Sequence, residues 1–120
     1  MKKKWPKAAT PRQKAATEEL LRRLHGKYPG RIISAALFGS VARGRFTHDS
    51  DIDVLVVTDK LDANLEWEIW GVGSRVSLEF DVIFNLHVYP SPVWENLRTK
   101  RKTIWRNVER EGVELTLQPA

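Results

Sequence analysis

A chain of 120 residues without cysteine suits one domain of ordinary size, and it excludes a disulfide framework, a thiol nucleophile and a thiolate metal site. No apolar run reaches the ~18 residues of a membrane span, and the basic start "MKKKWPKAATPRQK" lacks a signal-peptide core, so a cytoplasmic protein with no membrane segment is expected. The net charge of +5 is uneven: residues 1–32 hold ten Lys/Arg against two acids, residues 94–112 six against three, and residues 33–93 four against nine. The basic ends read as a solvated helix face and a tail rather than a nucleic-acid surface, with an acidic partner or a polyphosphate as the other attraction they could serve.

Residues 1–9 are expected to form a loose, flexible basic arm, and residues 10–120 a single domain. Thr10-Pro11 starts a helix, since Thr caps and Pro is tolerated at the first helical position. Ala16, Leu20, Leu21 and Leu24 give that helix one apolar face, and Pro29-Gly30 closes it. "RIISAALF" reads as a buried strand stopping at Gly39-Ser40, "SVARGRF" as one or two helical turns, and "DIDVLVV" as a second strand. "LDANLEWEIWGVG" carries Leu61, Leu65, Ile69 and Val72 on one stripe and predicts a helix ending at Gly71 or Gly73. "VSLEFDVIF" alternates and predicts a third strand, with Val76, Leu78, Phe80, Val82 and Phe84 on one face and Ser77, Glu79 and Asp81 on the other. "YPSPV" is a loop and "WENLRTKRKTIWRNVEREG" one C-terminal helix. The five tryptophans are expected mostly in the core, with Trp67 and Trp70 either on the sheet or at a partner surface. His48 reads as a solvent-exposed loop residue, and His87 as a strand-end residue. Helices packed on one small mixed β-sheet, an α/β or α+β domain, follow from this order.

Side chains two apart on a strand point the same way, so Asp51 and Asp53 share one face while Ile52, Val54 and Val56 take the other. Two carboxylates this close repel unless a cation lies between them or one is protonated. Magnesium suits them, because it binds one or two carboxylates together with substrate phosphates. A third carboxylate from a neighbouring strand, with Asp81 as the candidate, would complete a site for two ions that clamp an in-line phosphoryl displacement. Gly39-Ser40, between a strand and a helical turn, offers backbone N–H groups and a hydroxyl to phosphate, and Arg43 could pair with phosphate in the same loop.

The segment "GSVARGRFTHDSDID" resembles the signature of the DNA polymerase β nucleotidyltransferase superfamily, a Gly-Ser, ten residues, then Asp-x-Asp. It is most similar to the minimal nucleotidyltransferases (MNT) of prokaryotes, and "EFDVIF" matches the strand that bears the family's third carboxylate. The resemblance implies the nucleotidyltransferase fold, with Asp51, Asp53 and Asp81 as catalytic metal ligands for two Mg2+ ions. Glu79 replaces Asp81 if that strand slips by two residues. Gly39, Ser40 and Arg43 would bind the nucleoside triphosphate. The implied reaction moves AMP from ATP to a hydroxyl. Many such proteins pair with a helical HEPN protein as toxin and antitoxin. With about thirty-five residues after Phe84, the acceptor is expected on another chain, a HEPN-type partner or a dimer mate. The other expectation under the same resemblance is an antitoxin that holds nucleotide and neutralises its partner by contact.

Overall fold

In a computed structural model of the chain, residues 3–47 and 49–116 are described; His48, Met1 and Lys2 of the sequence expectations lie outside them. The element order is α1 (Pro11–Lys27), β1 (Ile32–Phe38), α2 (Gly39–Ala42), β2 (Ile52–Thr58), α3 (Ala63–Phe80), β3 (Phe84–Pro90), α4 (Ser91–Thr99), α5 (Thr103–Glu111) and β4 (Val113–Glu114). Helix α1 begins as its sequence dictates. Thr10 Oγ1 accepts from the Gln13 amide at 3.0 Å, the Gln13 side chain accepts from the Thr10 amide at 2.8 Å, and Pro11 takes the first helical position.

The four strands form one mixed sheet in the order β3-β2-β1-β4. β1 runs antiparallel to β2 and β4, and β2 runs parallel to β3, with α3 as the crossover between them. Both faces of the sheet are covered. Ile32, Ala35 and Leu37 of β1 and Ile52, Val54 and Val56 of β2 are buried with Leu20, Leu24, Leu65, Ile69, Val72 and Val76 from α1 and α3. On the opposite face Phe38, Leu55 and Val57 form a smaller core under Trp94, Ile104 and Val108 of α4 and α5. The mixed sheet and its packed helices are those expected from the order of elements.

Several expectations are corrected, among them the "YPSPV" loop, whose residues belong to β3 and α4. The helix after β2 does not stop at Gly71 or Gly73 but runs to Phe80, and no strand covers residues 76–83. Leu65, Ile69, Val72 and Val76 continue one helical stripe, which the apparent alternation of "VSLEF" conceals. Exposure decides between the two readings: Val76 is 0% exposed, and Leu78, which a strand would put on the same side, is 84% exposed. Gly73 serves packing here, since a Cβ on it would come 2.8 Å from Leu86 Cδ1 of β3. Trp67 and Trp70 lie off the buried stripe and face solvent, so they are not core residues.

The expected single C-terminal helix is two, α4 and α5, broken at Arg101, whose φ is 50°. Nor is the basic arm wholly exposed. Ala9 is buried, Trp5 packs partly against the main core, and Lys3 Nζ donates to the Arg110 carbonyl. An indole gains more from apolar contact than from hydration, and that contact draws this stretch onto the domain.

Candidate active site

The Gly-Ser and Asp-x-Asp motifs meet because β1 and β2 are antiparallel neighbours. The last residue of β1, Phe38, stands opposite Asp53, which puts the Gly39 turn beside the Asp53 side chain. Gly39 has φ +80°, a left-handed conformation that side chains disfavour, and a Cβ there would lie 2.2 Å from Asp53 Oδ2. Only glycine fits. Ser40, half-buried, follows in the first turn of α2. Asp51 directly precedes β2 and is exposed, and Asp53 is half-buried on the sheet face shared with Leu55 and Val57.

Glu111, at the end of α5, anchors the turn from below. Its buried carboxylate accepts from the Gly39 amide at 2.8 Å and from Arg43 Nη1 at 3.1 and 3.2 Å. Gly39 and Arg43 were expected to bind phosphate directly. Here the Gly39 amide and the Arg43 guanidinium are engaged with a carboxylate of their own chain, and they brace the turn. Gly39's contribution to the site is its missing side chain.

Strand β3 supplies the other wall. In its register with β2, Asn85 stands beside Asp53 and His87 beside Leu55. Asn85 Nδ2 donates to Asp53 Oδ1 at 2.9 Å, and His87 Nε2 lies 3.2 Å from the same oxygen. The imidazole is held against Phe38, with ring centroids 4.9 Å apart. His87 is thus a mid-strand residue in contact with Asp53 rather than a strand-end residue. The signal that could have marked these two is the alternation Asn85, His87, Tyr89 within "FNLHVYP". Glu111 carries no comparable local signal.

Asp81 is not part of this cluster. It caps the C-terminus of α3 with φ 55°, its side chain is 95% exposed, and it lies 3.5 Å from Arg12 of α1. Helices α1 and α3 cover the sheet face opposite Asp53, and Asp81 pairs with Arg12 on their side, in a pocket it shares with Ser50 and Ile52. Glu79 fails for the same reason. It accepts from Arg23 of α1 at 2.7 and 2.9 Å, and those bonds hold its carboxyl below the ordinary value. Among the described residues no three His, Asp or Glu side chains converge as a metal-binding group.

The chain is similar to known proteins in sequence and in fold. The family model described as "Nucleotidyltransferase domain" matches residues 17–110. A relative from Methanocaldococcus jannaschii, named "Putative protein adenylyltransferase MJ0604", is 34% identical over 83% of this chain and 94% of its own length. Two solved structures share the fold. A toxin–antitoxin structure with AMP-PNP is 24% identical over 84% of this chain and 73% of that one, with a TM-score of 0.58. A complex of tri-AMPylated Shewanella oneidensis HEPN toxin with MNT antitoxin gives 21%, 88%, 73% and 0.55.

Proposed function

The chain belongs to the nucleotidyltransferase domain family, and from that premise we propose that it transfers AMP from ATP to a hydroxyl on a partner protein. The observation that carries the reading is the meeting of Gly39 with Asp53, which unites a side-chain-free turn and an acidic strand start. The protein acceptor is supported by the name of the archaeal relative. The fold shared with antitoxins crystallised with HEPN toxins makes a helical HEPN protein the first acceptor to try.

Magnesium fits the donor set. Asp51 and Asp53 are hard oxygen donors, and the absence of a Cβ at Gly39 leaves Asp53 Oδ2 clear. When bound, the ion neutralises charge on the triphosphate during displacement. The chain's own residues do the positioning. Ser40 meets the triphosphate with its hydroxyl, and Glu111, through Arg43 and the Gly39 amide, fixes the turn on which Ser40 rides. Asn85 and His87 fix the Asp53 carboxylate, so it need not reorganise as charge develops. The acceptor oxygen forms its bond to the α-phosphorus, the bond from that phosphorus to the bridging oxygen breaks, pyrophosphate leaves, and the acceptor proton passes to solvent.

The test is incubation with α-labelled ATP, magnesium and a candidate helical HEPN-type partner protein. Label is expected on the partner. Tight nucleotide binding with no label on any partner would instead favour an antitoxin acting by contact. Asp81→Asn is expected to leave the transfer rate within about threefold of the parent, the scale of an exposed ion pair. A loss of a hundredfold or more would restore Asp81 to the site.

A further inference from the structure

A site for two metal ions about 3.5–4 Å apart needs carboxylate oxygens on more than one strand, because two divalent ions carry four positive charges into a small volume. In this sheet the second strand facing Asp53 is β3, and the register assigns one residue to the task. Asn85 is the direct neighbour of Asp53 in the parallel pairing, close enough for its amide to donate to Oδ1 at 2.9 Å. The next same-face residue, His87, reaches the same oxygen at 3.2 Å. β3 therefore presents an amide and an imidazole where a two-ion site would present a carboxylate, and both are turned onto Asp53 Oδ1. Three carboxylates of the surrounding elements are engaged elsewhere: Glu111 with Arg43 and the Gly39 amide, Glu79 with Arg23, and Asp81 with Arg12.

We propose that the site takes a single divalent ion together with its nucleotide, and that Asn85 stands at the position from which a second ion would be held. The inference rests on the nucleotidyltransferase reading of Asp51 and Asp53 given above. It also assigns β3 a role: Asn85 and His87 substitute for a bridging ion by holding the Asp53 carboxylate in place.

Counting ions tests this without measuring turnover. The full chain is passed through a gel-filtration column equilibrated with Mn2+ and the α,β-methylene analogue of ATP, which cannot be cleaved at the reacting bond. Nucleotide and manganese retained per chain are measured, with the double variant Asp51→Asn, Asp53→Asn as blank. The expected result is one nucleotide and one Mn2+, with an electron paramagnetic resonance spectrum free of coupling between neighbouring ions. Asn85→Asp is expected to raise the count to two Mn2+ and introduce that coupling. One nucleotide with two Mn2+ on the parent chain would overturn the single-ion site while leaving the nucleotide site standing. No nucleotide above the blank would overturn the reading on which the inference rests. A count that stays at one in Asn85→Asp would overturn the assignment of Asn85 to the second-ion position. The parent count decides the main point even if that variant does not fold.

Discussion

Asp53→Asn is expected to lower the rate of adenylyl transfer about a thousandfold while leaving the fold in place. The magnitude is what roughly 4 kcal/mol of lost charge stabilisation amounts to, at ~1.4 kcal/mol per factor of ten. The fold survives because the substitution is isosteric at a site whose contacts suit an amide. The new side chain keeps an oxygen that accepts from Asn85 Nδ2, and the buried neighbours Ile52 and Val54 point to the other face of the strand. Single-turnover transfer of α-label and a thermal melt together check it. A variant that melts with the parent yet transfers within tenfold of it would remove Asp53 from the chemistry. Asp53→Ala would be a poorer probe, because it strips the acceptor from the exposed Asn85 amide and the half-buried His87 imidazole and mixes lost contacts with lost charge.

How much of this site could be read from the chain depends on the range of the interaction involved. The facing of Asp53 away from Ile52 and Val54 is a local consequence of strand pleating, and it is visible in seven letters. The union of Gly39 with Asp53 needs only one further step, the antiparallel return of β2 on β1. The strand expected around Asp81 is a helix end because two periods coincide over "VSLEF". Val76 satisfies both a strand alternation and the helical stripe begun at Leu65, and the local pattern cannot choose between them. Packing makes the choice: Gly73 lets α3 press onto Leu86, and Val76 extends the buried stripe of a helix that ends at Phe80. The strand then begins later, at Phe84, and the residue beside Asp53 becomes Asn85 instead of an acid. Glu111 was invisible for a different reason. Its partners Gly39 and Arg43 lie 72 and 68 residues away in sequence, and nothing in "VEREG" distinguishes a buried glutamate from its exposed neighbours.

The same geometry sets the consequence of adding one carbon to the turn. Gly39→Ala is expected to destabilise the protein and to lower transfer by about a hundredfold. The backbone term is general: a left-handed residue with a side chain costs roughly 1–2 kcal/mol, and Gly39 has φ +80°. The second term belongs to the site. The new methyl would stand 2.2 Å from Asp53 Oδ2, so the carboxylate or the turn has to move, and a displacement of about 1 Å in a positioned group can cost 10²-fold in rate.

Gly44→Ala separates the two terms. Gly44 has φ +72° and therefore the same backbone penalty, but its Cβ would meet the Pro6 ring, with Cβ at 3.3 Å and Cγ at 3.9 Å, away from the carboxylates. Both variants should lose stability in urea unfolding, and only Gly39→Ala should also lose the transfer rate when compared at equal folded fraction. Equal rates in the two variants would mean that the contact between Gly39 and Asp53 serves the fold alone. A loss confined to Gly39→Ala, with the melt of Gly44→Ala at least as low, would tie the Gly-Ser turn to the position of the catalytic carboxylate.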